Sequence, residues 1–250
     1  MRIFLFAFFL LLSSAKNSMS SFVKTIHSKY FKEHKEITII LFISSMFAVG
    51  LEILRTQISP KHNYLFFIWN LFLAWIPYLI SIYLPIAYYK MKRKFFAYFL
   101  LIIWFLFWPN SPYIITDLLH LQEKTKQHIP LWYDLGLILS FAWAGLMLGY
   151  ISLIEIQNLV RKRMGRIAGW IFACFMLLIG ALGIYIGRYG RLNSWDVLNP
   201  DKLYSTLAMH FTSDLLKIDV LGMTLMYAAF LLLGYITIKV IIKIPDRMAL

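Results

Sequence analysis

The sequence predicts an all-α fold, a polytopic bundle of about six transmembrane helices with short interfacial helices in its two long outer connections. Three observations carry that reading. Of 250 residues, 60% are hydrophobic and 15% charged, against about 25% charged in ordinary soluble domains. A chain of this length cannot enclose so much apolar surface in one water-soluble core, so lipid is the missing apolar solvent. The apolar residues gather in six runs, most of them near the ~20 residues that cross a bilayer core, and Lys and Arg cluster between the runs.

In chain order the expected spans run from Ile37 to Leu54, Tyr64 to Tyr89, Phe95 to Trp108, Leu131 to Ile154, Ile167 to Gly187 and Ile218 to Ile242. They make one membrane domain over residues 37–242, preceded by a basic segment at 19–36 and followed by a tail at 243–250. Residues 1–18 read as an upstream extension or a signal-like segment: Arg2 precedes the apolar run Ile3 to Leu12 and the small residues Ser13, Ser14 and Ala15. Cleavage there would leave the basic N-terminal segment outside, so translation from Met19 is the simpler expectation.

Orientation follows from the basic residues, because positively charged loops are retained in the cytoplasm. Sixteen Lys and Arg fall on the side holding Lys16 to Glu36, Lys90 to Lys94, Arg161 to Arg166 and the tail from Lys239, and eight fall on the other. Both termini are therefore expected in the cytoplasm, with the connections Pro109 to Pro130 and Arg188 to Lys217 on the outer face. The same pattern accounts for the +13 net charge without nucleic acid as a partner; the expected partner is the lipid bilayer. A single cysteine, Cys174, excludes an intrachain disulfide and reads as a small apolar packing residue.

The third span is short, 14 residues, or about 21 Å of helix. Apolar character resumes at Tyr113, so the helix is expected to break at Pro109 to Pro112 and continue at the outer interface, Ser111 capping the second piece and Pro112 opening it. Helical spacing then sets Tyr113, Thr116, Asp117 and His120 on one face. A carboxylate and an imidazole one turn apart can share a proton or hold a divalent metal, and ionisable groups at membrane depth are costly enough to imply use. The competing reading is an interfacial helix whose polar face meets water.

Asp134 falls in the first turn of the fourth span, where it serves either as a catalytic carboxylate beside Asp117 and His120 or simply as a complement to the helix dipole. The last long connection opens with Arg188, Arg191, Asn193, Trp195 and Asp196. Its two guanidinium forks suit a phosphate or carboxylate, and an internal Arg191 to Asp196 pair is the alternative. Thr206, His210, Ser213, Asp214 and Lys217 then share one face of a further interfacial helix. Inside the spans, Glu52 lies three residues from Arg55 as a local ion pair, and Asn70 is placed to bond a neighbouring helix. No nucleotide-binding loop, zincin signature or hydrolase elbow is present.

Three stretches, Trp108 to His120 (WPNSPYIITDLLH), Pro130 to Asp134 (PLWYD) and Asn193 to Asp196 (NSWD), resemble the bacterial membrane family catalogued as domain of unknown function 1361, over roughly Ile37 to Ile242. The resemblance implies a multi-pass protein of the bacterial cytoplasmic membrane and assigns no catalytic residues. From the residues themselves the leading expectation is a membrane-embedded enzyme acting on an anionic lipid or lipid-linked substrate. Asp117, His120 and Asp134 would be its catalytic or metal-binding groups, with Tyr113, Arg188, Arg191, Asn193, Trp195 and Asp196 binding the substrate. The alternatives are an assembly protein docking a partner through its outer loops and, third, a small-solute transporter. The apolar middles of the spans weigh against transport.

Overall fold

The computed structural model describes residues 29–58, 64–90, 94–123, 129–190, 196, 199, 201–202, 204–205, 208 and 218–242. The expected spans appear as α1 (Lys29–Ile58), α2 (Leu65–Pro85), α3 (Lys94–Phe107), α5 (Leu131–Met164), α6 (Arg166–Tyr189) and α7 (Ile218–Ile242). A short helix α4 (Asn110–Tyr113) and a 3-10 helix (Ile114–Glu123) lie between α3 and α5. The described residues are helical or connecting, without strands, and six helical stretches are long and apolar enough to cross a membrane. The protein is therefore a multi-pass, all-α membrane protein.

The chain forms two units, Met1–Phe42 and Ile43–Leu250. In the first, the described residues are the opening turns of α1, where the Thr38 hydroxyl donates to the His34 carbonyl at 2.7 Å. All contacts below belong to the second.

The second unit is organised around α5, which packs against α2, α6 and the 3-10 helix. Its 34 residues span about 51 Å, more than a bilayer core of roughly 30 Å, so part of α5 must stand in the headgroup region. Trp104, Trp108, Leu153, Met176, Leu231 and Tyr235 fill the interior, while Ile102, Trp143, Leu225 and Leu233 face outward as a lipid-contacting surface. Mid-bundle, the Trp104 indole donates to Ser152 Oγ at 2.7 Å, which donates to the Pro77 carbonyl at 3.0 Å, joining α3, α5 and α2. Such bonds matter in lipid, where water is not there to replace them. Pro85 is the last residue of α2, and a widened π turn, Ile86–Lys90, follows it.

The third span departs from expectation in detail. The break is a single turn at Trp108 and Pro109, bridged by Ser111 N to Trp108 O at 3.0 Å and Tyr113 N to Pro109 O at 3.2 Å. Helix resumes at Asn110, so Ser111 lies inside α4 instead of capping it, and the span continues to Leu119. The segment is also not a water-facing helix: Ser111, Ile114, Thr116 and Asp117 are buried. Glycines explain how it enters. A Cβ on Gly145 would lie 2.5 Å from Ile114 Cδ1, and one on Gly149 would lie 2.8 Å from Ser111 Cβ. On α6, a Cβ on Gly180 would lie 2.8 Å from Trp108 Cζ3, and one on Gly187 2.8 Å from Tyr113 Cε2. The segment is a wedge between α5 and α6, admitted where those helices lack side chains. Cys174 is exposed on α6, not packed inside as expected.

Candidate functional site

Two buried polar centres form where α1 ends, α5 begins and α6 ends. In the first, Asp134 in the opening turn of α5 meets Arg55 in the last turn of α1. Arg55 donates through Nε to Asp134 Oδ1 at 2.6 Å and through Nη2 to Oδ2 at 3.0 Å, a planar two-point pair. Arg55 has no exposure and Asp134 has 6%. The guanidinium also lies 4.2 Å from the centre of the Tyr64 ring. Tyr133 ties the same two helices, its hydroxyl donating to the Leu51 carbonyl at 2.7 Å.

The expected attraction between Glu52 and Arg55 is present, and a long-range partner, Asp134, joins it. Glu52 Oε1 accepts the Tyr64 backbone N–H at 2.5 Å and is 3.2 Å from the Thr56 hydroxyl, which also reaches the Glu52 carbonyl at 2.9 Å. One hydroxyl proton serves only one of these at a time. Glu52 is fully buried, and its Oε2 has no hydrogen-bond partner among the described residues. Three positions on one helix let Arg55 and Glu52 approach, while the two-point fork-to-carboxylate fit is made with Asp134 arriving from a second helix.

The second centre is built on Asp117, which is 1% exposed. Asn70 Nδ2 of α2 donates to Asp117 Oδ2 at 3.3 Å. Arg188, in the last turn of α6, is close enough for its charge to act on both Asp117 and Tyr113. The Tyr113 ring reaches this position across Gly187, the residue before Arg188. Thr116, also buried, donates instead to the Tyr113 carbonyl at 2.8 Å. Two other helices therefore bring an amide and the charge of a guanidinium to one buried carboxylate.

Of the residues singled out from sequence, the structure brings together Tyr113, Asp117 and Arg188, and adds Asn70 as the donor to Asp117. Asp134 is held in the other centre, and no hydrogen bond or ion pair among the described residues joins it to Asp117. The 3-10 winding changes which residues share a face. With three residues per turn, the backbone positions of Asp117 and His120 stay aligned while Thr116 rotates onto another side. The His120 side chain lies outside the described residues, as do Arg191, Asn193, Trp195, Thr206, His210, Ser213, Asp214 and Lys217. Asp196 is described, and Lys202 Nζ donates to its Oδ2 at 2.8 Å. Among the described residues, no three of His, Cys, Asp and Glu converge to hold a metal. The neighbours found for Asp117 are hydrogen-bond donors.

Sequence reasoning missed the wedge's receiving surface. Its signal was present as small residues at helical spacing, Gly145 with Gly149 and Gly180, Gly183 with Gly187, the pattern that lets intramembrane helices approach closely.

Fold and site together define a multi-pass helical membrane protein with two polar centres buried near one end of its bundle. The chain belongs to the family described as "Protein of unknown function (DUF1361)", whose model matches residues 69–242. That stretch takes in Asn70, Asp117, Asp134 and Arg188 but not Glu52 or Arg55. No curated protein and no solved structure matched the chain.

Proposed function

We propose that this protein is an enzyme of the bacterial cytoplasmic membrane that acts on a phosphate-bearing lipid or lipid-linked substrate at the Asn70, Tyr113, Asp117 and Arg188 centre. The single observation that carries the reading is a buried carboxylate, Asp117, that accepts from the Asn70 amide of another helix and feels the charge of Arg188 from a third. Intramembrane carboxylates are costly and mark function more often than packing. In this reading Asp117 is the acid–base group, Arg188 grips the substrate phosphate and Tyr113 aims Arg188. Asn70 orients the carboxylate. Asp134 and Arg55 are positioning residues that hold α5 against α1 and so fix the wall on which the wedge rests. The excess of basic residues at the far ends of the spans supports both termini lying in the cytoplasm, with the centre near the outer face.

The test is turnover in a total bacterial polar lipid extract, followed by mass spectrometry. The wild-type protein is expected to deplete one lipid species and produce another, while Asp117→Asn and Arg188→Gln, at unchanged thermal stability, abolish or slow that change at least about a hundredfold, the usual scale for losing an acid–base group. A lipid profile unchanged by the wild type, or equally changed by Asp117→Asn, refutes the reading. A second reading, an assembly protein, is favoured by the exposed Leu131 and Trp132 at the start of α5. It predicts one stoichiometric partner lost on Trp132→Ala.

A further inference from the structure

At the opposite end of the bundle, α5, α6 and α7 enclose a cavity of about 260 Å³ lined by Gln157, Arg161, Arg166, Trp170 and Lys239. We propose that this cavity binds the phosphate of an anionic phospholipid headgroup. Three of its five lining side chains are cationic, and each comes from a different place: the last turn of α5, the first residue of α6 and the last turn of α7. Glu155 acts electrostatically on neighbouring Tyr235 but does not line the cavity.

The wall is rigid. Gly165, at φ +95°, turns α5 into α6 in one residue, a conformation that glycine adopts without strain. That turn sets Arg161 and Arg166 on adjacent helix ends. A Cβ on Gly169 would lie 3.2 Å from Arg161 Cβ, so α6 packs directly against the base of that side chain. Gln157, 2% exposed, anchors the floor: its Nε2 donates to the Gly169 carbonyl at 3.1 Å, and its Oε1 accepts from the Tyr235 hydroxyl at 2.7 Å and from Lys239. Lys239 Nζ lies 4.8 Å from the Trp170 ring centre and 5.4 Å from that of Tyr235. The lysine is thus held over aromatic faces at the cavity wall and not left to sweep through water.

Depth points to a lipid as the source of the phosphate. Gln157 lies 26 residues after the start of α5, about 39 Å along its axis, beyond a hydrocarbon core of roughly 30 Å and so at headgroup level. Beside the cavity, Ile167 is 77% exposed and Ile171 66%, an apolar flank that fits the acyl chains attached to a headgroup and offers nothing to a free anion. Basic pockets between transmembrane helices are suited to such headgroups.

The test uses the full chain in detergent, with native mass spectrometry of dioleoyl phosphatidylglycerol, phosphatidylcholine and inorganic phosphate titrated separately and in competition. Phosphatidylglycerol is expected to bind in preference to phosphatidylcholine. Arg161→Gln and Arg166→Gln should each weaken it about fivefold, the effect of one basic group near an anionic headgroup. Both arginines are exposed, so their replacement leaves the packing intact. The control is Arg163→Gln, which removes the same charge at the same end from a residue bonded to Tyr88 and Tyr98 instead. It should change binding less than about twofold, because it lies off the cavity. Equal weakening by Arg163→Gln, no preference between the two lipids, or displacement of the lipid by equimolar inorganic phosphate would each overturn the proposal. The cavity is remote from the Asp117 centre, so its failure and that of the catalytic reading are read independently.

Discussion

Replacing Asp134 by alanine removes the two-point partner of a guanidinium that has no contact with solvent. Removing one member of a buried pair generally costs about 3–5 kcal/mol, because the remaining charge is left desolvated. Glu52 is the moderating neighbour, since its charge also acts on Arg55. Asp134→Ala should therefore fall at the low end, about 3 kcal/mol. The reverse change is worse. Arg55→Leu leaves Glu52 and Asp134, which act on each other as like charges, buried without their cation, and should cost about 5 kcal/mol. The double variant Arg55→Leu/Asp134→Leu removes the pair together and should recover most of the loss, within about 2 kcal/mol of the starting protein. Equilibrium unfolding in mixed micelles, run as a double-mutant cycle, measures all three. An Asp134→Ala cost below about 1 kcal/mol, or Arg55→Leu milder than Asp134→Ala, refutes the assignment of this pair as the clamp between α1 and α5.

The wedge gives a paired prediction on glycine. Gly180→Ala sets a methyl 2.8 Å from a Trp108 ring whose Nε1 is tied to the Gly149 carbonyl at 3.0 Å, so thermal unfolding should show a loss of about 1–3 kcal/mol. Gly136→Ala on α5, where a Cβ meets nothing within 4 Å, should be neutral or stabilise by up to about 1 kcal/mol. Polar deletions should likewise differ in sign. Asn70→Ala strips a donor from buried Asp117 and should cost about 1–3 kcal/mol by the same measurement. Ser111→Ala removes a buried hydroxyl with no partner among the described residues and should be neutral or slightly stabilising.

Membrane class, the number of spans and the family were all legible in the chain, because hydropathy over about twenty residues adds up locally and needs no knowledge of neighbours. Asp117, Asp134 and Arg188 were also visible, as charges near the ends of apolar runs. Their partners were not. Glu52 was offered to Arg55 because three residues on one helix is the contact that sequence spacing offers; the structure adds Asp134, 79 positions away, as its two-point partner. The Trp108 to His120 stretch was expected at the interface because Pro109, Asn110 and Pro112 read as a helix end. Two glycine-lined helices instead take it inside, and no local propensity in the stretch itself reports on what the opposing helices lack.

By itself, then, the sequence determined that this chain lives in a membrane, how many spans it has and roughly where they fall, and that polar residues concentrate near one end. Only the tertiary structure decided that these form two centres, one locked around Arg55 and Asp134 and one open to donors around Asp117. The physical reason is that burial in lipid is a property of each segment, whereas a hydrogen bond between segments depends on the angle and depth at which helices cross. Side chains far apart in the chain set both.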